Sequence, residues 1–412
     1  MSAKILQSDL RLFSKKNTDY LIILLIIIFS GSLYYSSFYH ETYTRNFYVF
    51  PFLIFLFMVC LHRSINYSQI GTLYLLFTIV IILSTADDDL KTEAVYVAVL
   101  ISAFLFISIM PFERFSEIYV NIILILSVIS WFSLLMPYFK IYSPVPNFFD
   151  LFGARYENYI FFGIPTFNID HGISRSNCGI FWEPGAWQVF VNTGFVLAMV
   201  NRIITLKRYL IFLITNLTIV STTGLIFFLL LSIVFFSSMN IVHRKKKIGL
   251  FIFLGAIISV ILNDYFSNIF DKFNVANMEY GSLVSRLNDN MVDLHIFMEH
   301  PLNGVGIGNW EARKFYSNEL GIDPGYGSDG IVKLISEVGI FGIAIVLPLI
   351  FPRYLISFAL LQRLIICFSF ILIFNTQGMM IYLFPWILTF YGLKRLVIFT
   401  NPMSDQPSVT TL

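Results

Sequence analysis

The stretch Arg175-Ser-Asn-Cys-Gly-Ile-Phe-Trp-Glu-Pro-Gly185 closes a long polar segment and opens a hydrophobic one. It brings a guanidinium, a carboxylate, two glycines and an indole to the point where an apolar helix is expected to begin. A segment that only joined two helices could be shorter and chemically blander. Its place is the edge of a membrane, on the non-cytoplasmic side, where it would form one lip of an active site.

Composition puts the rest of the chain in that membrane. Of 412 residues, 57% are hydrophobic and 13% charged, against about 25% charged in soluble domains. The mean hydropathy is +0.77. So little polar surface cannot cover a globule, and runs long enough to span a bilayer recur along the chain. The net charge of +2 gives no reason to expect a nucleic-acid partner. Cys60 and Cys367 fall in apolar runs and Cys178 lies alone in a polar one, so no disulfide framework is expected. Lys4, Arg11, Lys15 and Lys16 precede an apolar run without a small-residue cleavage site, which reads as a first transmembrane helix rather than a removed signal.

The pattern predicts an all-α polytopic membrane protein, residues 1–412 forming a single integral membrane domain. Twelve transmembrane helices are expected, near 20–39, 47–62, 70–86, 95–112, 118–139, 186–202, 209–221, 223–241, 248–263, 329–350, 355–374 and 378–393. Cation placement sets the orientation. On this topology 17 of the 27 Lys and Arg lie on the side of the N-terminus, so both termini are expected in the cytoplasm. The pair 209–221 and 223–241 is the delicate point. Read as one helix, it would put Arg244 to Lys247 outside, which the same rule disfavours. The tail 401–412, small, polar and proline-containing, is expected to be a disordered cytoplasmic end.

Two long loops, 140–185 and 264–328, face outward, and loops of that length usually carry function or internal structure. In the first, Arg155 and Arg175 are candidate anion binders, since guanidinium grips phosphate in a bidentate fork. They could equally pair with lipid headgroups or with Asp170. Glu183, just before Pro184, either complements the helix dipole or acts as a general base. Trp182 and Trp187 suit an interfacial aromatic belt, though an indole can also stack on a sugar.

In the second loop, Leu283, Leu287, Met291, Leu294 and Met298 recur at helical spacing, with Arg286, Asp289 and Asp293 on another face. That face reads either as a surface salt-bridge ladder or as Arg286 aimed at an anionic group. His295 and His300 stand at i and i+5, about 140° apart around a helix, so they do not form a helical zinc pair, and no metal site is expected. Gly304, Gly306 and Gly308 permit tight turns whose amides can cradle an anion. Beyond them, Asp329 stands at a helix entrance as cap or base. Lys333 and Glu337, at i and i+4, could pair on one face.

Three pieces occur in one order: Arg175 followed by Gly-Ile-Phe-Trp-Glu-Pro-Gly; Ser285-Arg286-Leu287 leading to His-Pro-Leu-Asn-Gly-Val-Gly-Ile-Gly; and Ser328-Asp329 before Glu337-Val-Gly-Ile-Phe-Gly342. With two large outer loops, this resembles the Wzy-type O-antigen and capsular polysaccharide polymerases and, more distantly, the O-antigen ligases. The resemblance covers about 140–345.

It implies a GT-C-like, inverting, metal-independent glycosyltransferase with no cofactor. Such an enzyme transfers a growing glycan from undecaprenyl diphosphate onto a lipid-linked repeat unit at the periplasmic face of the bacterial inner membrane. It also implies that Arg175 and Arg286 hold the donor diphosphate, with membrane lipids and a chain-length regulator protein as further partners. Ligases carry His-Asn where this chain has Ser328-Asp329, a departure from the ligase pattern that leaves Asp329, Glu183 and Asp293 as alternative bases. The rival readings are an O-antigen ligase and a lipid-linked oligosaccharide flippase or other transporter. A transporter would place its charges near the midplane rather than in outer loops.

Overall fold

The computed structural model describes residues 15–30, 49–61, 63, 65, 68–85, 90–139, 148–151, 154–159, 162–166, 177–181, 184–219, 221–238, 278–322, 330–375, 379–380 and 382–394. Five helices come first: α1 (Lys15–Phe29), α2 (Val49–Leu61), α3 (Gln69–Ser84), α4 (Leu90–Ile109) and α5 (Phe112–Phe139). Three strands follow, β1 (Phe148–Leu151), β2 (Ala154–Tyr159) and β3 (Phe162–Thr166). Then come α6 (Pro184–Val200), α7 (Leu206–Ile219), α8 (Thr222–Ser238), α9 (Met278–Glu299), α10 (Trp310–Glu319), α11 (Ile331–Val338), α12 (Ile340–Ile350), α13 (Leu360–Asn375) and α14 (Leu383–Lys394).

Helices dominate, as composition requires of a chain with a bilayer as solvent. Thr92–Ile109 and Phe112–Phe132 are long and apolar enough to span by length and composition. Shorter apolar helices accompany them at Val49–Leu61, Gln69–Ser84, Pro184–Val200, Thr223–Ser238, Ile340–Leu355, Leu360–Asn375 and Leu383–Leu393. The expected span 248–263, the tail 401–412 and Arg244 to Lys247 lie outside the described residues.

The purely helical expectation needs one correction. The first outer loop holds an antiparallel sheet of order β1-β2-β3, with Asp150 opposite Arg155 and Arg155 opposite Thr166. A second correction concerns the span predicted at 329–350. It is two helices, broken at Gly339. Lys333 and Glu337 therefore belong to a short separate helix that precedes the apolar one.

Side-chain bonds tie several helix ends together. Asp19 at the start of α1 is buried and accepts from Arg63, after α2, at 2.7 Å and from Arg114, at the start of α5, at 3.3 Å. The far end of α6 reaches the same place, where Asn201 Nδ2 donates to the carbonyl of Glu113. At the opposite ends, the Asn177 amide Nδ2 donates to Ser130 Oγ and Thr218 Oγ1.

The delicate pair is resolved as a hairpin. α7 ends at Ile219 and α8 starts at Thr222. Tyr209, near the start of α7, donates to Ser232 and stacks on Phe235 near the end of α8, which requires the two helices to run antiparallel.

Two helices form the centre. Along α6 every residue from Ala186 to Met199 is buried, and α14 is buried from Leu383 to Leu393. A helix apolar all round is one enclosed by others. Phe384 on α14 stacks on Phe190 of α6 and on Tyr119 of α5, with centroids 4.8 and 5.1 Å away.

Trp187 belongs to this centre as well. Its side chain is fully buried and stacks on Phe181, so it is a core residue and not part of an interfacial belt.

Candidate functional site

Asn177 anchors the described end of the first lip. Its backbone N–H donates to the Thr218 carbonyl, and its side-chain oxygen accepts from Gly179 N–H. These bonds pin 177–181 across the outer ends of α5 and α7. Cys178 is buried, as a small apolar thiol would be. Arg175, Trp182 and Glu183 lie outside the described residues, as does Asp329 on the other side. Arg155 sits on β2.

The second lip is described in full around α9. The acidic face of this helix turns inward. Asp289 and Asp293 are 3% and 1% exposed. Arg313 on α10, equally enclosed, forks between them, with Nη2 2.8 Å from Asp289 Oδ1 and Nη1 2.5 Å from Asp293 Oδ1. The surface-ladder reading is therefore corrected. The carboxylates meet a cation on the next helix, and among the described residues no salt bridge joins either to Arg286.

Sequence reasoning missed Arg313. It neighbours the exposed Lys314 and faces partners 20 and 24 residues away. Nothing in local spacing separates the buried cation from the solvated one.

Asp293 also accepts from Ser336 Oγ of α11 at 3.1 Å. Burial pushes its carboxyl from 3.8 up to about 6. Arg313, Lys333 and the Ser336 hydroxyl oppose that rise, while Glu337 adds to it. A carboxyl raised on folding contributes stability below its unfolded value and loses it as pH climbs through the folded one. Asp293→Asn is therefore expected to flatten the stability profile between pH 3.8 and about 6, a window worth about 3 kcal/mol at 1.36 kcal/mol per unit. Thermal unfolding across that range checks it; an unchanged slope would refute the assignment.

Glycines bring the second lip to α11, the short helix that precedes the apolar α12. Gly306 N–H donates to the Glu337 carbonyl at 2.9 Å, Val305 N–H to that of Ser336, and Gly308 N–H to Glu337 Oε1 at 3.0 Å. Gly304 N–H caps the end of α9 by donating to the His300 carbonyl. The Gly304 and Gly306 amides are thus engaged by protein carbonyls instead of pointing into an open anion nest. Lys333 Nζ lies 4.0 Å from Glu337 Oε1, the i, i+4 pair expected from spacing. The two histidines both meet Tyr316: His300 Nε2 is 2.6 Å from its hydroxyl, and His295 packs edge-on to its ring. Among the described residues no group of His, Cys, Asp and Glu is arranged to hold a metal ion.

Arg286 stands half-buried one turn before this network. Its carbonyl accepts from Asn290, whose side chain accepts from Asn375 at the end of α13. Asn375 in turn accepts from Val332 N–H at the start of α11. An asparagine relay therefore fixes Arg286 relative to the mouth of α11. α13 also packs against α6, so both lips border one helix. The arrangement holds Arg286 near the mouth of α11, two turns of α9 before the buried Asp293 carboxyl that burial pushes up to about 6.

Residues 209–347 match a family model described as O-antigen ligase. The match runs from the α7–α8 hairpin through α9, the glycine turn and α10 to α12. No curated protein and no solved structure matches the chain.

Proposed function

From the match of residues 209–347 to a family model described as O-antigen ligase, together with the resemblance of its motifs to the polymerases, we propose that this membrane enzyme is a polysaccharide polymerase. It transfers a growing glycan from undecaprenyl diphosphate to the terminal sugar of a lipid-linked repeat unit. The observation that carries the reading is the position of Arg286 on α9, beside the mouth of α11 and inside the matched segment. We place both termini in the cytoplasm and the reaction at the periplasmic face of the inner membrane. Loops 140–185 and 264–328 then close over the sugars while the isoprenoid tails stay in the bilayer.

The chemistry needs few parts. The acceptor hydroxyl attacks the anomeric carbon of the donor, and the bond to the diphosphate oxygen breaks with inversion. The glycosidic bond forms as undecaprenyl diphosphate leaves. Arg175 and Arg286 balance the charge that grows on that leaving group, and Arg155 contributes on the same outer side. A carboxylate among Asp329, Glu183 and Asp293 takes the hydroxyl proton. Trp182 offers a stacking face for a sugar. The resemblance implies no metal or other cofactor, and a chain-length regulator would act from outside this chain.

A ligase reading is favoured by the description of the matching family and differs in the acceptor. The enzyme reconstituted with lipid-linked repeat units alone should yield a ladder of longer glycans. Transfer seen only after adding lipid A core would overturn the polymerase. Arg286→Ala and Arg175→Ala are each expected to lower polymer formation by about 10²–10³-fold, the usual loss for one transition-state donor, at unchanged protein level. Normal chain length in both variants would remove the two arginines from the site.

A further inference from the structure

The amphipathic helix α9 is mounted with its polar face inward. Asp289 and Asp293 are buried against Arg313, so the apolar stripe predicted from spacing is left outside. Leu287, Met291, Leu294, Met298 and, past the helix end, Leu302 are each between 51% and 68% exposed. At 1.5 Å per residue the helical part of the line, from Leu287 to Met298, runs for about 16 Å. Single exposed leucines are ordinary, but a contiguous row marks a surface that is covered in use.

What covers it is indicated by where the row leads. Its last residue abuts the start of α12. A Cβ on Gly339 would stand 2.3 Å from the Leu302 carbonyl oxygen, and Ile340 N–H donates to the Pro301 carbonyl at 2.8 Å. From there Ile340, Ile343 and Leu347 continue along one side of α12, 50%, 43% and 49% exposed. The described residues leave that side of the apolar helix uncovered, as a lipid-facing side would be. The α9 stripe and this side of α12 thus meet at Gly339. The glycine turn lies at the same level as the outer end of α4, where Gly308 is next to Thr92.

We propose that α9 is an in-plane helix resting on the outer leaflet. Its Leu287–Leu302 stripe is immersed among acyl chains, and the Arg313-bridged acidic face holds the rest of the outer loop above it. Amphipathic helices held in this way sink roughly 5–10 Å into the boundary between headgroups and chains. The bilayer then becomes part of what sets the height of Arg286 and of the α11 mouth. This goes beyond the catalytic reading and would stand whichever acceptor the enzyme uses.

The test places single cysteines in a full-length chain whose Cys60, Cys178 and Cys367 are replaced by alanine. Met291→Cys, Leu294→Cys and Met298→Cys report the stripe, and Lys314→Cys reports the exposed side of α10. Each is labelled with an environment-sensitive dye and reconstituted in phosphatidylethanolamine–phosphatidylglycerol vesicles. The stripe sites are expected to lose at least about twofold of their emission when the acyl chains are brominated, as shallow immersion predicts, and to resist aqueous iodide. The Lys314 site should show the reverse. Iodide quenching along the stripe would overturn the proposal, because the row would then face water. Protection from both quenchers would also overturn it, because a protein segment, from 239–277 or a second copy, would then be the cover.

Discussion

Arg313→Met is expected to destabilise the solubilised protein by about 3–5 kcal/mol, the usual cost of removing one partner from a buried ion pair. It leaves Asp289 and Asp293 enclosed and deprived of the guanidinium that bridges them. Asp293, whose carboxyl burial already pushes up to about 6, can offset part of the loss by taking up a proton, so the loss should be smaller at pH 5 than at pH 8. The triple change Arg313→Met, Asp289→Leu and Asp293→Leu removes the stranded charges together and should recover most of the stability, because apolar replacements of a buried ion cluster are often neutral or better. Thermal unfolding of the single and triple variants at pH 5 and pH 8 decides the matter. A single variant that unfolds like the parent at both pH values would mean that the fork holds nothing together.

The same fork shows why parts of this molecule were legible in the sequence and parts were not. Periodicity identified α9 and both of its faces. It could not say which face meets protein, because that depends on a cation beyond a ten-residue turn. The usual guess, apolar inward, has the wrong sign here. Trp187 failed for a related reason. An indole next to a membrane edge has a preference of its own for the interface, but stacking on Phe181 inside the bundle outweighs it.

The sheet was hidden because its connections are short and bland. Between β1 and β2 stands Phe152-Gly153, and between β2 and β3 Ile160-Phe161; only the first holds a residue that marks a turn. What was legible was carried by local rules. The break between α7 and α8 falls at 220–221, where the Ser221-Thr-Thr-Gly224 run begins, and the i, i+4 spacing brings Lys333 to Glu337. The sequence singled out Glu183, Arg175 and Asp329 as site residues; testing them falls to the reconstitution experiments, since they lie outside the described residues.

The glycine turn gives the sharpest local prediction. Gly304→Ala is expected to cost about 4–5 kcal/mol, from roughly 1 kcal/mol for each of three hydrogen bonds lost and 1–2 kcal/mol of left-handed backbone strain. At φ +66° its Cβ would stand 2.3 Å from the carbonyl carbon and oxygen of Glu337 and 2.5 Å from Val338 N. These are backbone atoms in a helix, so no rotamer change makes room. The turn would have to lift from α11, breaking the bonds from Val305, Gly306 and Gly308 to Ser336 and Glu337. Lifting also loosens the link between α9 and the α11 mouth, so glycan transfer should fall more than stability alone explains. Gly321→Ala is the matched control: its φ is also +66°, but nothing lies within 4 Å of the added methyl. It should show the backbone strain alone and keep activity. Equal losses in the two variants would mean that the contact with Glu337 contributes nothing, and that the turn merely spans α9 and α10 without fastening them to α11.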